Sequence, residues 1–539
     1  MDSREIVNFC IEKGILIDGE LFGLFKDADD ISSIKMIIEK VREYSEEKIM
    51  TKSVFSENRD KVIQVFSELP KEKQKKLERL RINLGLSIEI SMKEVQTADS
   101  AEKNHFNSES AMMVVESFPP TRKKLEVSDF SNHLRNRFLE LKKILQENSR
   151  LENLVSISKI SGMNQKFSII GMVYDKKITK NKNILFEVED LTGMTRVVVT
   201  QNSGNAYKNA LDVCADSVMG FKGAGSKNIL FANEVVFPDI ALLEKKKSPV
   251  DESVVFISDI HVGSQNFMEK NFLRFVDYLN GKIPNTPEAG KIKYLFVVGD
   301  LIAGVGVYPG QEKALAIKDI ESQYAKIAEL LDKIRKDIKI LIIPGNHDCV
   351  RLMEPQPILN EKYSWPLHNL KNVFLASNPS LINIGSTKTF SGLNILAYHG
   401  FSYPYYANNI PSLIEGKAVR SHDKIMAYLL KNRHIAPTHN STQHSPSEED
   451  HLLIKKIPDI FVSGHTHTNA ASYYNNILVI SNGCWELLMP YQEMMGFKSD
   501  YCKVPMFNLK TRELRILDFY DGEKRESNKA QDFASLPNL

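Results

Sequence analysis

The chain has 539 residues, of which 42% are hydrophobic and 26% are charged, and its formal net charge at pH 7 is +2. This length predicts about three or four domains, and the composition is typical of a globular protein with enough apolar residues to form real cores. Because the overall charge is nearly balanced, it argues neither for nor against nucleic acid, and any basic surface must be local.

The five cysteines are scattered along the chain and lack CxxC spacing. They predict no disulfide framework and no thiolate zinc site, and they are typical of a reducing compartment. The N-terminal MDSREIVNFC lacks the apolar core of a secretion signal, and no run approaches the ~20 apolar residues that cross a bilayer. We therefore expect a cytoplasmic protein with no membrane partner.

The first 127 residues predict a helical module followed by a linker. Within residues 1–93, Ser32 and Ser33 are candidate helix caps, and the apolar residues that follow at helical spacing are Ile34, Ile37, Ile38 and Val41. The same spacing recurs from Val62 to Leu69. Residues 94–127 show no sustained period and predict a flexible linker. Within it, AMMVVESF is interpreted as a mobile apolar patch, with docking onto another surface as the alternative.

Residues 128–244 predict a helix and then a small β-barrel. Ser128 is a candidate cap, and the apolar face of the helix comprises Phe130, Leu134, Phe138, Leu141 and Leu145. Five short strands between residues 167 and 237 fit a barrel of the oligonucleotide-binding (OB) fold. The first hairpin carries four lysines, Lys176, Lys177, Lys180 and Lys182, which predict either a surface that follows a nucleic-acid backbone or a solvated hairpin tip.

Residues 245–539, after a hinge at 244–249, change to an α/β pattern. Apolar strands at 253–258, 294–298 and 338–343 alternate with helical stretches such as 311–336. Eleven of the thirteen histidines lie beyond residue 250. This asymmetry points to imidazole chemistry in the C-terminal half of the chain.

Five apolar strands of this region each end in polar residues that can bind metals. In chain order the strand ends carry Asp259 and His261, then Asp300, then Asn346, His347 and Asp348, then His399, and finally His465 and His467. Because α/β folds place their sites at the carboxyl ends of strands, we expect these side chains to meet. Each motif alone is weak evidence, but five such strand ends in one region are hard to attribute to coincidence.

The ordered set DxH, GD, GNHD, H and GHTH resembles the calcineurin-like metallophosphoesterases. The resemblance implies an α/β fold in which a β-sandwich is flanked by helices and holds two divalent metal ions at one edge. It implies Asp300 as the bridging ligand, with Asp259, His261 and His467 on the first metal and Asn346, His399 and His465 on the second. Mixed carboxylate, amide and imidazole ligands favour manganese, with iron or zinc as alternatives, over magnesium.

The same resemblance implies that His347 is the catalytic residue, placed to stabilise the phosphate or to protonate the leaving alkoxide. Asp348 is interpreted as a group that stabilises the turn. The remaining histidines of this half are interpreted as surface or core residues: His368, His422, His434, His439, His444 and His451. Several of them lie in the polar segment between residues 402 and 450, for which substrate contact and disorder are the two alternatives.

A closer resemblance covers residues 128 to about 520. The runs GVGVYPGQ, PGNHDCVRLMEPQP, RHIAPTH, SIIGMVY, EVEDLTG and YQEM resemble the small subunits of archaeal family-D DNA polymerases. This family implies a 3′→5′ exonuclease that proofreads for a large polymerising subunit and acts on single-stranded or mismatched DNA ends. A sliding clamp is a further possible partner, although NKAQDFASLPNL at the C-terminus holds no convincing clamp motif.

One position departs from the family pattern. Three residues after Asp300, where the family usually has an acidic residue that orients the catalytic histidine, this chain has Ala303. This departure keeps open the alternative of a structural accessory subunit with vestigial metals. A general metallophosphodiesterase is a further alternative, because the same ligand set serves such substrates. The departure also predicts that Asp348 or a water takes over the orienting role.

Overall fold

The structure is a computed structural model that forms two compact units, residues Met1–Val95 and Gln96–Leu539. It describes residues 4–26, 31–42, 49–51, 54, 62, 65, 111–118, 125–161, 165–488 and 498–521. Within these ranges, no helix combines the length and the apolar character required to span a membrane.

The first unit contains three described helices, α1 (Arg4–Glu12), α2 (Gly19–Lys26) and α3 (Ile31–Arg42), and a short parallel pair of strands, β1 (Leu16–Ile17) and β2 (Ile49–Met50). The four apolar positions predicted for α3 are all buried. The helix begins at Ile31, so Ser32 and Ser33 lie in its first turn and the prediction that either caps it is wrong. Of the predicted repeat from Val62 to Leu69, only Val62 and Val65 lie among the described residues, and both are buried.

The second unit contains a strand where the composition predicts a linker. Strand β3 (Ala111–Ser117) pairs antiparallel with β13 (Ser380–Ser386). Beyond its end, the Phe118 amide donates to the Ser377 hydroxyl oxygen at 2.7 Å. The linker prediction is therefore wrong for residues 111–118, since this apolar stretch pairs with a partner more than 250 residues away. The predicted linker over residues 94–110 lies outside the described residues.

Helix α4 (Val127–Gln146) leads into a closed five-stranded barrel. Glu126 precedes the helix and its backbone N–H donates to Asp129 Oδ2 at 2.9 Å, so Ser128 is not the cap. The barrel strands are β4 (Gln165–Ile178), β5 (Ile184–Asp190), β6 (Gly193–Val199), β7 (Val218–Ser226) and β8 (Ile229–Val236). They pair in the order β4-β5-β6-β8-β7, and helix α5 (Asn205–Asp212) lies between β6 and β7 in the chain.

One of the four hairpin lysines has a structural role. The Lys176 ammonium donates to the carbonyl oxygens of Leu211 and Val213 at 2.6 and 2.8 Å, at the C-terminal end of α5. Cations stabilise the unpaired carbonyls at this end of a helix. Lys176 is therefore part of the fold, while Lys180 and Lys182 remain exposed.

The rest of the unit is a sandwich of two six-stranded sheets flanked by helices. The first sheet has the order β12-β11-β10-β9-β18-β19 and comprises β9 (Ser253–Ile257), β10 (Ile292–Val298), β11 (Lys339–Ile343), β12 (Val373–Leu375), β18 (Lys503–Asn508) and β19 (Leu514–Asp518). The second has the order β16-β17-β15-β14-β13-β3 and adds β14 (Leu393–Tyr398), β15 (Ile460–Ser463), β16 (Ala470–Tyr474) and β17 (Ile477–Ser481). The apolar strands predicted from the sequence thus lie in a sandwich.

Helices cover both outer faces of the sandwich. The first sheet buries its outer face against α6 (Glu269–Leu279), α7 (Ile320–Asp332) and α8 (Glu361–His368). The second packs against α9 (Tyr403–Asn409), α10 (Pro411–Glu415) and α11 (Asp423–Asn432). A third apolar core fills the space between the sheets.

Residues 244–249 are not a free hinge, because the Ser248 amide donates to the Leu509 carbonyl oxygen at 2.9 Å.

A buried ion pair joins α4 to the segment that follows α11. Arg137 Nε donates to Asp450 Oδ2 at 2.6 Å, and Arg137 Nη1 donates to the Pro437 carbonyl oxygen at 2.8 Å. His434 Nε2 lies 2.8 Å from the same carboxylate oxygen. Burial alone would raise the pKa of Asp450, but His434 and Arg137 hold it well below its ordinary value. Within the polar segment, the buried histidines His434 and His444 therefore belong to this network.

We predict that Arg137→Leu lowers the free energy of unfolding by about 3–5 kcal/mol, because it leaves the buried Asp450 carboxylate without its cation. Urea unfolding of the full chain measures the effect. Arg135→Leu is the matched control, since Arg135 is exposed on the same helix, and we expect a change within about 0.5 kcal/mol. Equal stability of the two variants would contradict the structural role of the pair.

Candidate metal centre

The predicted site residues meet where parallel strands of both sheets end. Strands β9, β10 and β11 run parallel in one sheet, and β14 and β15 run parallel in the other. Directly after these strands, five of the predicted ligands have left-handed backbone with φ between 51° and 69°: Asp259, His261, Asp300, His465 and His467. Such conformations are uncommon outside glycine and cluster at functional sites, where the surrounding structure imposes them.

Asp300 lies at the centre of the cluster. Its Oδ2 lies 3.3 Å from His399 Nε2, 3.9 Å from His261 Nε2 and 4.0 Å from His347 Nε2. Its Oδ1 accepts the backbone N–H of His347 at 2.8 Å. The carboxylate is almost fully buried, and it faces both groups of predicted ligands, which is the position that a bridging ligand requires.

Asp259, His261 and His467 form the first group, and their potential ligand atoms all lie within 4.8 Å of one another. His261 Nε2 and His467 Nε2 are 3.1 Å apart, and His467 Nε2 lies 3.4 Å from Asp259 Oδ1. The Asp259 carboxylate also accepts the backbone N–H of His465 at 2.9 Å, which ties the β9 end to the β15 end.

Asn346, His399 and His465 surround the other side of Asp300. His399 Nε2 lies 3.0 Å from Asn346 Oδ1, and the His399 and His465 rings are 5.1 Å apart between centroids. His399 Nδ1 lies 2.9 Å from the Val298 carbonyl oxygen. Because a carbonyl only accepts, Nδ1 carries a proton, and Nε2 is left as the ring atom that faces the centre and could bind a cation, as in many metal-binding histidines.

The close approach of the strand ends depends on glycine. A Cβ at Gly345 would lie 2.2 Å from Asp300 Oδ1, and one at Gly299 would lie 2.3 Å from His399 Nδ1. At Gly464, a Cβ would come within 2.7 Å of Asp259 Oδ2. The glycine before each polar group therefore lets the next strand end approach the carboxylates directly.

The electrostatics of the pocket leave some imidazoles neutral. Burial and the charge of His399 lower the pKa of His465 to about 3, and burial lowers that of His261 to about 4. Burial alone would also lower the pKa of His399, but the Asp300 carboxylate raises it to about 9. A cation that binds to His399 would therefore displace a proton.

His347 is held by a backbone carbonyl. Its Nδ1 lies 2.9 Å from the Ala303 carbonyl oxygen, so Nδ1 donates and Nε2 faces the centre. Gln311 Nε2 donates to the same oxygen at 2.8 Å, and Gln311 Oε1 accepts the Val307 N–H at 2.9 Å. The main chain of Ala303 thus provides the acceptor that its side chain lacks. Asp348 does not take this role.

Asp348 stabilises the turn, in agreement with the sequence interpretation. Its Oδ2 accepts the backbone N–H groups of Gly345 at 2.8 Å and Leu301 at 3.3 Å. Burial, reinforced by the charge of Asp300, raises the pKa of Asp348 to about 7. The group therefore links the β10 and β11 ends beneath the predicted ligands.

Sequence reasoning missed Glu486. Its Oε2 lies 3.9 Å from His261 Nε2, and its other oxygen accepts a hydrogen bond from the Ser264 hydroxyl. It lines a cavity of about 270 Å³ together with His261, His347, His467 and Tyr308. The only sequence feature that could have indicated Glu486 is its position shortly after the apolar strand β17, because no motif includes it.

The chemistry of the donor set fits a pair of divalent cations. Two carboxylates, an amide and four imidazoles converge in one buried pocket, and their backbone is bent to present them. Residues 253–469, which include all seven predicted ligands, match the family described as calcineurin-like phosphoesterases. Fold and site together define a metallophosphoesterase domain, and a domain of this class implies that divalent metals are bound.

Similar proteins extend this assignment beyond the domain. The DNA polymerase II small subunit of Methanothermobacter thermautotrophicus is 35% identical over 398 residues, which cover 73% of this chain and 80% of the relative. That of Pyrococcus furiosus is 36% identical and the match covers 73% of this chain and 64% of the relative. That of Thermoplasma acidophilum is 32% identical, with coverage of 74% and 80%. The chain belongs to the family of archaeal DNA polymerase II small subunits.

We predict that Gly345→Ala weakens the binding of divalent metal by about 10- to 100-fold, the range seen when groups supporting metal ligands are lost. The added Cβ would displace Asp300 from its central position. Isothermal titration calorimetry with Mn²⁺ measures the affinity. Gly290→Ala is the control, because a Cβ there meets nothing within 4 Å; equal affinities for the two variants would contradict the packing at the strand ends.

Proposed function

We propose that the chain is a 3′→5′ DNA exonuclease with two divalent metals, which hydrolyses phosphodiester bonds to proofread for a replicative DNA polymerase. The observation that carries the proposal is the convergence of Asp259, His261, Asp300, Asn346, His399, His465 and His467 beside His347 in one pocket. Membership of the polymerase small-subunit family supports DNA as the substrate.

Two divalent cations, when bound, supply an activated water and neutralise charge on a phosphoryl group undergoing in-line displacement. The protein contributes position. Asp300 faces both ligand groups, and the Ala303 carbonyl directs His347 Nε2 toward the same centre. From there His347 stabilises the phosphate oxygens or protonates the leaving 3′ oxygen. Manganese is the proposed metal, with iron or zinc as alternatives, because mixed carboxylate and imidazole ligands suit borderline cations better than magnesium.

The proposed partners are a large polymerising subunit and DNA. The large subunit follows from the relatives, which are named as small subunits of a polymerase. For the barrel we propose an OB-fold, supported by closure in the order β4-β5-β6-β8-β7 and by the helix between its third and fourth strands. Single-stranded or mismatched 3′ ends are the proposed substrate. A sliding clamp remains a possible partner, and the C-terminal NKAQDFASLPNL lies outside the described residues.

The rival functions differ in measurable ways. An accessory subunit with vestigial metals would bind fewer than two cations per folded chain. A general metallophosphodiesterase would cleave a small chromogenic phosphodiester far better than DNA. Strands labelled at the 3′ or the 5′ end distinguish the direction of cleavage, and the proposal requires mononucleotide release from the 3′ end.

We predict that His347→Ala lowers the rate of nucleotide release by about 10²- to 10⁴-fold, as expected for loss of a general acid or charge-stabilising group. Metal content stays at two ions per chain, because His347 is not a proposed ligand. The assay is Mn²⁺-dependent digestion of a 3′-labelled single strand. His368→Ala serves as the control, and an active His347→Ala protein would exclude the proposed role.

We predict that Gln311→Leu lowers kcat by about 10- to 100-fold, an effect typical of losing a supporting hydrogen bond in a metal site, while KM and metal content stay unchanged. The variant removes the N–H donor that fixes the Ala303 carbonyl and hence His347. Gln265→Leu is the matched control, since Gln265 is exposed and also donates to a loop carbonyl, that of Lys313. A change in KM alone would contradict a positioning role.

A further inference from the structure

A second cavity, of about 440 Å³, opens beside the candidate metal centre. The residues that line it come from α4, from the turn after β11, from the loop after β14 and from the segment after α11: Phe130, Met353, Phe401, His439, Asn440, Ser441, Thr442, Gln443 and His444. Its volume lies in the usual range of small-molecule and cofactor sites. None of these residues belongs to the predicted ligand set.

One aromatic ring separates this cavity from the metal centre. The Phe401 ring packs edge-on against the ring of His465, one of the predicted ligands, with centroids 5.5 Å apart. A group bound in the cavity would therefore lie one ring away from a phosphate held at the centre. This distance places the cavity within reach of a nucleotide attached to that phosphate.

Two histidines of the cavity wall are tied to neighbouring elements by hydrogen bonds and ring contacts. His444 is 5% exposed, and its Nδ1 lies 3.4 Å from Arg137 Nη2, in the buried network of Arg137 and Asp450. Because a guanidinium only donates, Nδ1 accepts and the ring proton sits on Nε2. That Nε2 is buried and has no hydrogen-bond partner. The His439 ring lies 4.3 Å from the His444 ring, and Asp216 of the barrel accepts the His439 backbone N–H at 3.0 Å.

The chemistry of the lining selects a base rather than a phosphate. The lining holds aromatic rings, two side-chain amides and an unpaired ring N–H, and among its residues there is no lysine, arginine, aspartate or glutamate. Aromatic rings stack on nucleobases irrespective of sequence, and amides hydrogen-bond to base edges. A phosphate would instead require cations or free backbone donors.

We propose that this cavity receives the base of one unpaired nucleotide of a DNA strand whose phosphate lies at the metal centre. The proposal rests on the proposed exonuclease function and names the form of substrate that the site takes. Phe130, which is 42% exposed, stacks on the base from α4, and His444 Nε2 donates to it. A paired base would have to leave its duplex first, at a cost of a few kcal/mol, so frayed or mismatched ends enter more readily.

The test compares Phe130→Ala with Leu139→Ala in the full chain. Leu139 lies on the same helix and is 38% exposed, but it does not line the cavity. With Mn²⁺ and a single-stranded thymidine oligonucleotide, we expect Phe130→Ala to lower kcat/KM by about 5- to 150-fold, the range for loss of one stacked base. On bis(4-nitrophenyl) phosphate, and on the same strand with abasic residues at its 3′ end, both variants should match the parent protein.

Binding without catalysis separates this inference from the proposed function. Fluorescence anisotropy with the same oligonucleotide in Ca²⁺ should show weaker binding to Phe130→Ala and unchanged binding to Leu139→Ala. If the parent protein cleaves no DNA but this difference persists, the exonuclease fails and the base site stands. Two results for Phe130→Ala would overturn the base site: an equal loss on base-bearing and abasic strands, or no loss in either binding or cleavage. The second result would indicate that the cavity instead receives an apolar group of a protein partner.

Discussion

The candidate site depends on one constraint: the buried Asp300 carboxylate must sit where strand ends from two different sheets converge. The sandwich sets this position, because parallel strands of both sheets end at the same edge. Glycines at 299, 345 and 464 let the backbone come within contact of the carboxylates and imidazoles. The cores on either side of each sheet keep the strands in register, so the geometry of the pocket is a property of the whole unit rather than of any one loop.

The second unit contains two clusters of buried polar groups, one around Asp300 and one around Asp450, and their partners differ. Around Asp300, the carboxylates and the imidazole Nε2 atoms face one another, an arrangement suited to cations. Around Asp450, the carboxylate is paired with Arg137 and His434, and His434 Nδ1 accepts the backbone N–H of Ala436. The groups around Asp300 are therefore arranged to bind cations. The groups around Asp450 instead connect α4 to the segment after α11 and to the cavity wall.

The sequence predicted the elements whose signal is local. Apolar runs ending in Asp259, Asp300 or His399 are visible in the chain, and the structure brings these groups together. What it could not predict depends on distant partners. Strand β3 pairs with a strand far along the chain, Lys176 finds the end of a helix that follows two strands later, and Glu486 has no motif. The missing acidic side chain at Ala303 is visible in the sequence. The group that replaces it as the acceptor for His347 is the backbone carbonyl of Ala303, which every residue type has and which the sequence therefore does not reveal.

The left-handed backbone at five of the predicted ligands also constrains how this site can change over generations. Asparagine, aspartate, histidine and glycine tolerate that conformation, whereas valine, isoleucine and threonine are strained in it. If these side chains were no longer needed as ligands, substitution by asparagine or glycine at positions 259, 261, 300, 465 and 467 would therefore strain the backbone less than substitution by branched aliphatic residues. The left-handed turns would then be retained even after the metal-binding side chains had been replaced.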